Sequence, residues 1–178
     1  TDTLTAINNR RFFDQRLNEE LERAAREGTQ LTCLLLDVDH FKRVNDSYGH
    51  QVGDHVLREV AALIRAQLRG SDVLSRYGGE EFAALLSRSG GAEAGEVAEP
   101  IRHGLGGHSF ASGDGQPFQV TISIGVATYN PAKHGVGGKL AGEVLVGHAD
   151  RALYEAKSGG RDRVVSAGDI DPDKQQWF

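Results

Sequence analysis

Apolar residues mark the chain off into elements before any chemistry is considered. Phe13, Leu17, Leu21 and Ala24 share one helical face, Asn8 or Asn9 can cap that helix, and Gly28 ends it. Leu31 to Val38 is almost continuously apolar, the pattern of a strand buried on both faces, and it ends abruptly in Asp37-Val38-Asp39. From about His50, Val52, Val56, Val60 and Ile64 recur at helical spacing, with Leu57, Ala61 and Leu68 beside them. That predicts an amphipathic helix of about five turns, closed by Gly70.

Val73-Leu74 and Phe82 to Leu86 are two short apolar runs around Gly78-Gly79, which predicts a tight hairpin whose glycines take positive φ. Ala92 to His103 has helical spacing, but Gly95 and Pro100 fall inside it. An interior proline costs roughly 3 kcal/mol, so a kink or break is expected there. Gly104 to Gln116 reads as a loop. Phe118 to Val126 alternates apolar and small or polar residues, which predicts a half-buried strand. Asn130 to Gly138 is a second loop. A last helix carries Leu145, Ala149, Ala152, Leu153 and Ala156 and stops at Gly159-Gly160. Arg163-Val164-Val165 is a short closing strand, and Ser166 to Phe178 is a tail without periodicity. The expected units are therefore one domain over 1–165 and a tail over 166–178. A mixed order with a hairpin at its centre predicts an α+β fold, one central sheet with helices on its faces.

Composition narrows the class. A chain of 178 residues, 25% charged and 39% hydrophobic, can bury a single core. The net charge of −5 argues against a nucleic-acid polymer as partner but leaves room for a nucleotide held by a local cluster of cations. The single cysteine, Cys33, lies in an apolar run and excludes a disulfide framework within the chain. No apolar run approaches a membrane span and no signal-peptide pattern opens the chain, so a cytoplasmic setting without membrane contact by this segment is expected.

The candidate chemistry sits at strand ends. Asp37-Val38-Asp39 closes the buried strand, and Glu80-Glu81 lies at the hairpin tip in Arg76-Tyr77-Gly78-Gly79-Glu80-Glu81-Phe82. If the two strands are neighbours, four carboxylates converge, and like charges so close call for a cation. Magnesium takes one or two carboxylates and substrate phosphates. The backbone amides of His40 and Phe41 open the following turn as an anion site, and Lys42, Lys157 and Arg161 are cationic candidates. The P-loop pattern is absent.

Taken in order, these motifs resemble the GGDEF domain, the diguanylate cyclase of bacterial signalling. The resemblance runs from Asp2-Thr3-Leu4-Thr5 and Asn9-Arg10-Arg11 through Asp37 to Lys42, Asn45-Asp46, Tyr48-Gly49-His50 and Gly53-Asp54. It continues with Arg76 to Phe82, Thr121 to Ala127 and Ala149 to Lys157, and ends in Gly160-Arg161. It departs at Ala6, where the family usually has glycine, and at Pro100, inside a normally continuous helix.

The resemblance implies a palm-like fold with a mainly antiparallel sheet, as in class III nucleotide cyclases. It implies metal-dependent condensation of two GTP to cyclic di-GMP with release of two pyrophosphates, by a homodimer formed at least transiently. Asp37, the Val38 carbonyl and Glu80 are then the expected ligands of Mg2+ or Mn2+. Glu81 is expected to bind a second metal or to act as base for the ribose 3′-OH, making Asp37, Glu80 and Glu81 the catalytic set. Asn45 and Asp54 are expected to read guanine, and Lys42, Lys157 and Arg161 to meet the triphosphate. Arg69 and Asp72 are expected to form a site where the product inhibits its own synthesis. The alternative is a catalytically silent receptor for GTP or cyclic di-GMP. The module is expected to belong to a longer protein with an N-terminal sensor or regulatory domain.

Overall fold

The computed structural model describes residues 1–134 and 139–169. Helix α1 (Arg10–Glu27) starts where the Asn9 side chain accepts a hydrogen bond from the Phe12 amide and ends at Gly28. Strand β1 (Leu31–Val38) is buried at every position. It leads into α2 (Phe41–Tyr48), which is two turns rather than one, and then α3 (His50–Gln67), which stops three residues short of the expected Gly70. The hairpin is β2 (Val73–Arg76) and β3 (Glu81–Ser87), followed by α4 (Gly91–Gly106). Next come β4 (Phe110–Ala111), β5 (Pro117–Phe118), β6 (Ile122–Tyr129), α5 (Pro131–His134), α6 (Lys139–Ser158) and β7 (Val164–Asp169).

Five strands form one sheet in the order β2-β3-β1-β6-β7, antiparallel except for the β6–β7 pair. The α+β architecture with a mainly antiparallel sheet is therefore as predicted. Alternation along β1 divides the core. Leu34, Leu36 and Val38 pack toward α2, α3 and α4, while Leu31, Cys33 and Leu35 pack toward α1 and α6. Among the described residues no helix is long and apolar enough to cross a membrane.

Several expectations are corrected. Helix α4 runs through Pro100 as one element. Pro100 lies on the exposed face, as does Glu96, whose carbonyl loses its partner, while Ile101 and Leu105 are buried beyond it. Burying those two side chains contributes roughly 1.5–3 kcal/mol each, enough to offset the proline's cost of about 3 kcal/mol. The glycine-rich stretch after it is not all loop, since β4 and β5 pair there, and Phe118 belongs to that small sheet. Strand β6 starts later than expected and is buried on both faces, not one. Its small residues are the reason: a Cβ on Gly125 would overlap the Ala149 carbonyl and lie 2.9 Å from Leu153 Cα, so α6 rests directly on the strand. The second expected loop begins with α5, and residues 135–138 lie outside the described part. Strand β7 continues to Asp169, beyond the expected Val165; the rest of the expected tail, 170–178, lies outside the described residues.

Candidate active site

The hairpin tip meets the end of β1 through backbone register. Asp37 is paired with Glu81 across the β1–β3 ladder, and the Val38 amide donates to the Glu80 carbonyl at 3.2 Å. Both acidic motifs therefore come together, as their placement at strand ends predicts. The hairpin is there but its glycines are not the reason given for it: neither Gly78 nor Gly79 has positive φ. What glycine provides at 78 is space, because a Cβ there would come within 2.9 Å of Glu81 Oε2.

The turn is held instead by Arg76, to which the sequence assigned no role. Its Nε and Nη2 donate to the Gly79 carbonyl at 3.1 and 2.9 Å, and its Nη1 reaches both oxygens of Asp2 at 3.3 and 3.2 Å. Asp2 in turn accepts from the Thr5 amide and hydroxyl. The first motif of the chain thereby braces the acidic hairpin.

Asp37 is only 6% exposed. Burial is the largest influence on its carboxyl and pushes the pKa up to about 6; the Lys157 ammonium, donating at 2.7 Å, opposes that, and the charges of Glu80 and Glu81 add to it. Lys157 reaches Asp37 because α6 sits on Gly125 and Lys157 follows Leu153 by about one helical turn. The donor set suits a hard divalent cation, since it offers carboxylate oxygens that repel one another. Among the described residues no group of three or more His, Cys, Asp or Glu side chains is arranged to hold a metal alone. A donor set of that size would suit an ion that arrives with phosphate ligands.

A cavity of about 310 Å³ opens beside the hairpin, lined by Phe41, Lys42, Asn45, His50, Asp54, Leu57, Arg76, Gly79 and Glu80. It unites five of the predicted site residues. Asp37, Val38, His40, Glu81, Lys157 and Arg161 lie outside its walls. Helix α2 delivers Lys42 and Asn45, and α3 delivers Asp54. The two helices approach closely because residue 53 is glycine: a Cβ there would overlap Asn45 Oδ1 and lie 3.1 Å from Asn45 Cγ and 3.2 Å from Phe41 Cζ. Gly53 thus lets the Asn45 amide rest against α3 next to Asp54. His40 opens α2 with φ 54 and makes no side-chain bond to the first-turn amides, so those amides have no side-chain cap.

Asp39 separates from its neighbour Asp37. It is 4% exposed and fully engaged with Thr121, Ser123 and the backbone of Asp162, which leaves it out of the acidic cluster. Arg69 and Asp72 lie in the turn between α3 and β2. Asp72 Oδ2 accepts from the Arg69 amide at 2.8 Å, while its buried Oδ1 has no hydrogen-bond partner. The Arg69 side chain is exposed and lines a separate cavity of about 170 Å³ that includes Arg23, Ser71 and Arg88 but not Asp72.

Residues 1–163 match the family model described as "Diguanylate cyclase, GGDEF domain". The chain is 39% identical over 167 residues to diguanylate cyclase DgcP of Pseudomonas aeruginosa, covering 94% of this chain and 24% of that protein. It spans less than half the length of the curated relatives it matches. Its fold is similar to the GGDEF domain of DgcB from Caulobacter crescentus in complex with c-di-GMP, with a TM-score of 0.86, 36% identity, and coverage of 94% of this chain and 95% of that one. It is also similar to the active GGEEF domain of a diguanylate cyclase from Vibrio cholerae, with a TM-score of 0.80, 30% identity, and coverage of 90% and 97%. A model matched over residues 1–163, up to the start of β7, on a domain built the same way, makes this chain a member of the diguanylate cyclase GGDEF domain family.

Proposed function

We propose that this domain is a catalytically competent diguanylate cyclase module. The observation that carries the reading is the cavity whose walls hold Lys42, Asn45 and Asp54 together with Glu80, whose charge acts on Asp37. Guanine presents an N1–H and N2–H₂ donor edge that suits the Asp54 carboxylate, and acceptors that suit the Asn45 amide. Lys42 on the wall, Lys157 beside Asp37, and Arg161 on the loop after α6 give the triphosphate its countercharges, with the α2 amides at His40 and Phe41 as backbone donors.

Asp37, the Val38 carbonyl and Glu80 would hold a divalent cation, Mg2+ or Mn2+. Once bound it would neutralise phosphate charge and favour ionisation of a hydroxyl. Glu81, paired across the sheet with Asp37, would accept the proton of a ribose 3′-OH, a role its nearness to Asp37 supports. The 3′-oxygen of one GTP forms a bond to the α-phosphorus of the other as the bond to pyrophosphate breaks. Two such transfers close the ring and release two pyrophosphates. One cavity of this size takes one nucleotide, so two domains meet face to face as a homodimer, at least transiently. Product inhibition through Arg69 and Asp72 is part of the same proposal, with the exposed Arg69 guanidinium as the phosphate contact. The intact acidic hairpin favours the enzyme over a silent receptor.

The test is incubation with GTP and Mg2+, with products separated by chromatography and identified by mass. Cyclic di-GMP and pyrophosphate in a one-to-two ratio are expected. Binding of GTP without turnover, across protein concentrations that permit dimerisation, would sink the reading.

A further inference from the structure

We infer that Asp39 is a positioning residue for the triphosphate end of the site, acting through the loop that carries Arg161. The inference rests on the functional reading above and assigns a task to a carboxylate that reading does not use.

Three donors from two distant segments converge on this one buried group. Thr121 Oγ1 donates to Asp39 Oδ2 at 2.7 Å and Ser123 Oγ donates to Oδ1 at 2.7 Å, both from the start of β6. The Asp162 backbone amide donates to Oδ2 at 3.0 Å from the loop after α6. The Asp39 amide adds a bond to the Thr121 carbonyl at 2.9 Å. The carboxylate therefore ties the end of β1, the start of β6 and the 159–163 loop into one unit.

That loop needs tying. Gly160, Arg161 and Asp162 are consecutive residues with φ of 118°, 65° and 44°. Left-handed backbone is unfavourable for residues with a Cβ and persists only where the surroundings enforce it. The Arg161 amide is held by the Ala156 carbonyl at 3.0 Å, which continues the helix end. Beyond it, the amide of Asp162 has the Asp39 carboxylate. The Asp162 side chain also pairs with Arg102 of α4 at 2.9 Å, but those side chains are 45% and 26% exposed, and such pairs hold weakly. Asp39 is the buried anchor and Arg102 the half-buried one. Since Asp39 lies two residues from Asp37, the anchor sets the loop against the same strand end that carries the proposed metal ligand.

The consequence is selective. Loosening the loop displaces Arg161 and leaves Asn45 and Asp54 untouched, because those are carried by α2 and α3. Affinity for the triphosphate should fall while affinity for the base end holds. Asp39→Asn is nearly isosteric. With its oxygen turned to the Oδ2 position it still accepts from Thr121 and the Asp162 amide while its –NH₂ donates to Ser123 Oγ, so Asp39→Asn keeps the anchor and Asp39→Ala removes it.

The experiment measures binding of α,β-methylene-GTP and of GMP, with Mg2+ present, by calorimetry on wild type, Asp39→Ala, Asp39→Asn, Thr121→Val and Arg102→Ala. The expected result is about a tenfold loss for the triphosphate analogue in Asp39→Ala, with GMP affinity within about twofold of wild type, and rescue of the analogue's affinity in Asp39→Asn. Arg102→Ala and Thr121→Val should move the same way by a smaller factor, and they stand in if Asp39→Ala fails to fold. In turnover, KM for GTP should rise. Equal losses for both ligands would mean general loosening and would overturn the inference, as would unchanged affinity for the analogue. A wild type that binds the analogue no tighter than GMP would overturn the triphosphate assignment itself, and the inference with it.

Discussion

Gly53→Ala should damage guanine recognition while leaving the fold intact. The added methyl would overlap Asn45 Oδ1 and crowd Asn45 Cγ at 3.1 Å and Phe41 Cζ at 3.2 Å. Residue 53 lies inside α3 with an ordinary helical backbone, so alanine there adds roughly 0.5–1 kcal/mol of helix stability. Crowding in a packed site costs typically about 1–3 kcal/mol, toward the low end here because the nearest obstacle is the tip of a side chain that can swing away. The two effects nearly cancel, and the melting temperature should change little. Binding does not escape so lightly. With Asn45 displaced, one hydrogen bond to the base is lost and a buried polar edge is left unpaired, about 1–3 kcal/mol. That is roughly fivefold to 150-fold in Kd. Calorimetric titration with α,β-methylene-GTP and with ATP should show the loss for the guanine nucleotide and almost none for ATP. The Gly53→Ala, Asn45→Ala double variant should be no worse than Asn45→Ala alone, because the methyl acts through Asn45. Guanine-nucleotide affinity within twofold of wild type, in a folded variant, would refute the packing argument.

Asp37→Ala or Glu80→Ala should cut cyclic di-GMP synthesis on the order of a hundredfold or more with the far-ultraviolet spectrum unchanged; near-normal turnover in either would remove that residue from the proposed metal site. Because the folded carboxyl of Asp37 titrates at about 6, above its ordinary value of 3.8, its contribution to stability is fully present below 3.8 and is lost as pH rises through 6. Denaturant titrations of wild type against Asp37→Asn without metal should therefore diverge across that window, and Mg2+ affinity should fall as pH drops below about 6; parallel stability curves would contradict the shift. Arg69→Ala should relieve inhibition by added cyclic di-GMP without lowering the initial rate, and identical progress curves would exclude Arg69 from that site. Ala6 holds φ 62°, so Ala6→Gly should raise stability by about 0.5–1 kcal/mol, the left-handed penalty less the entropy glycine adds to the unfolded chain; a lower denaturation midpoint would argue against strain at that turn.

The elements whose residues signal through local spacing were legible in the sequence alone. The apolar run of β1, the capped periodicity of α1 and the spacing of α3 each follow from which side chains must leave water. Because strand ends are where a buried run stops, the strand-end placement of Asp37 and of the Glu80-Glu81 tip was also legible; that they meet required β1 and β3 to be neighbours, which the register shows. The misreadings came where burial from outside the segment decides. Pro100 stays within α4 because Ile101 and Leu105 have a core to enter, and β6 is buried on its small-residue face because α6 covers it. Strand β7 goes past Val165 because β6 offers it a parallel edge, though Ser166 and Ala167 are exposed and show no alternation.

The sequence determined the set of chemical groups and the strand ends and helices that carry them. Tertiary structure decided which groups meet: Arg76 with Asp2 across 74 positions, Lys157 with Asp37 across 120, and Asp39 with the Asp162 amide across 123. It also divided the Asp37-Val38-Asp39 motif into one carboxylate that meets the Lys157 ammonium and another consumed in holding a loop. Periodicity reports only the face a residue turns toward the core. Partners so far apart are set by sheet register and by how closely two backbones can approach, as at Gly53 and Gly125, and that is a property of the packed molecule.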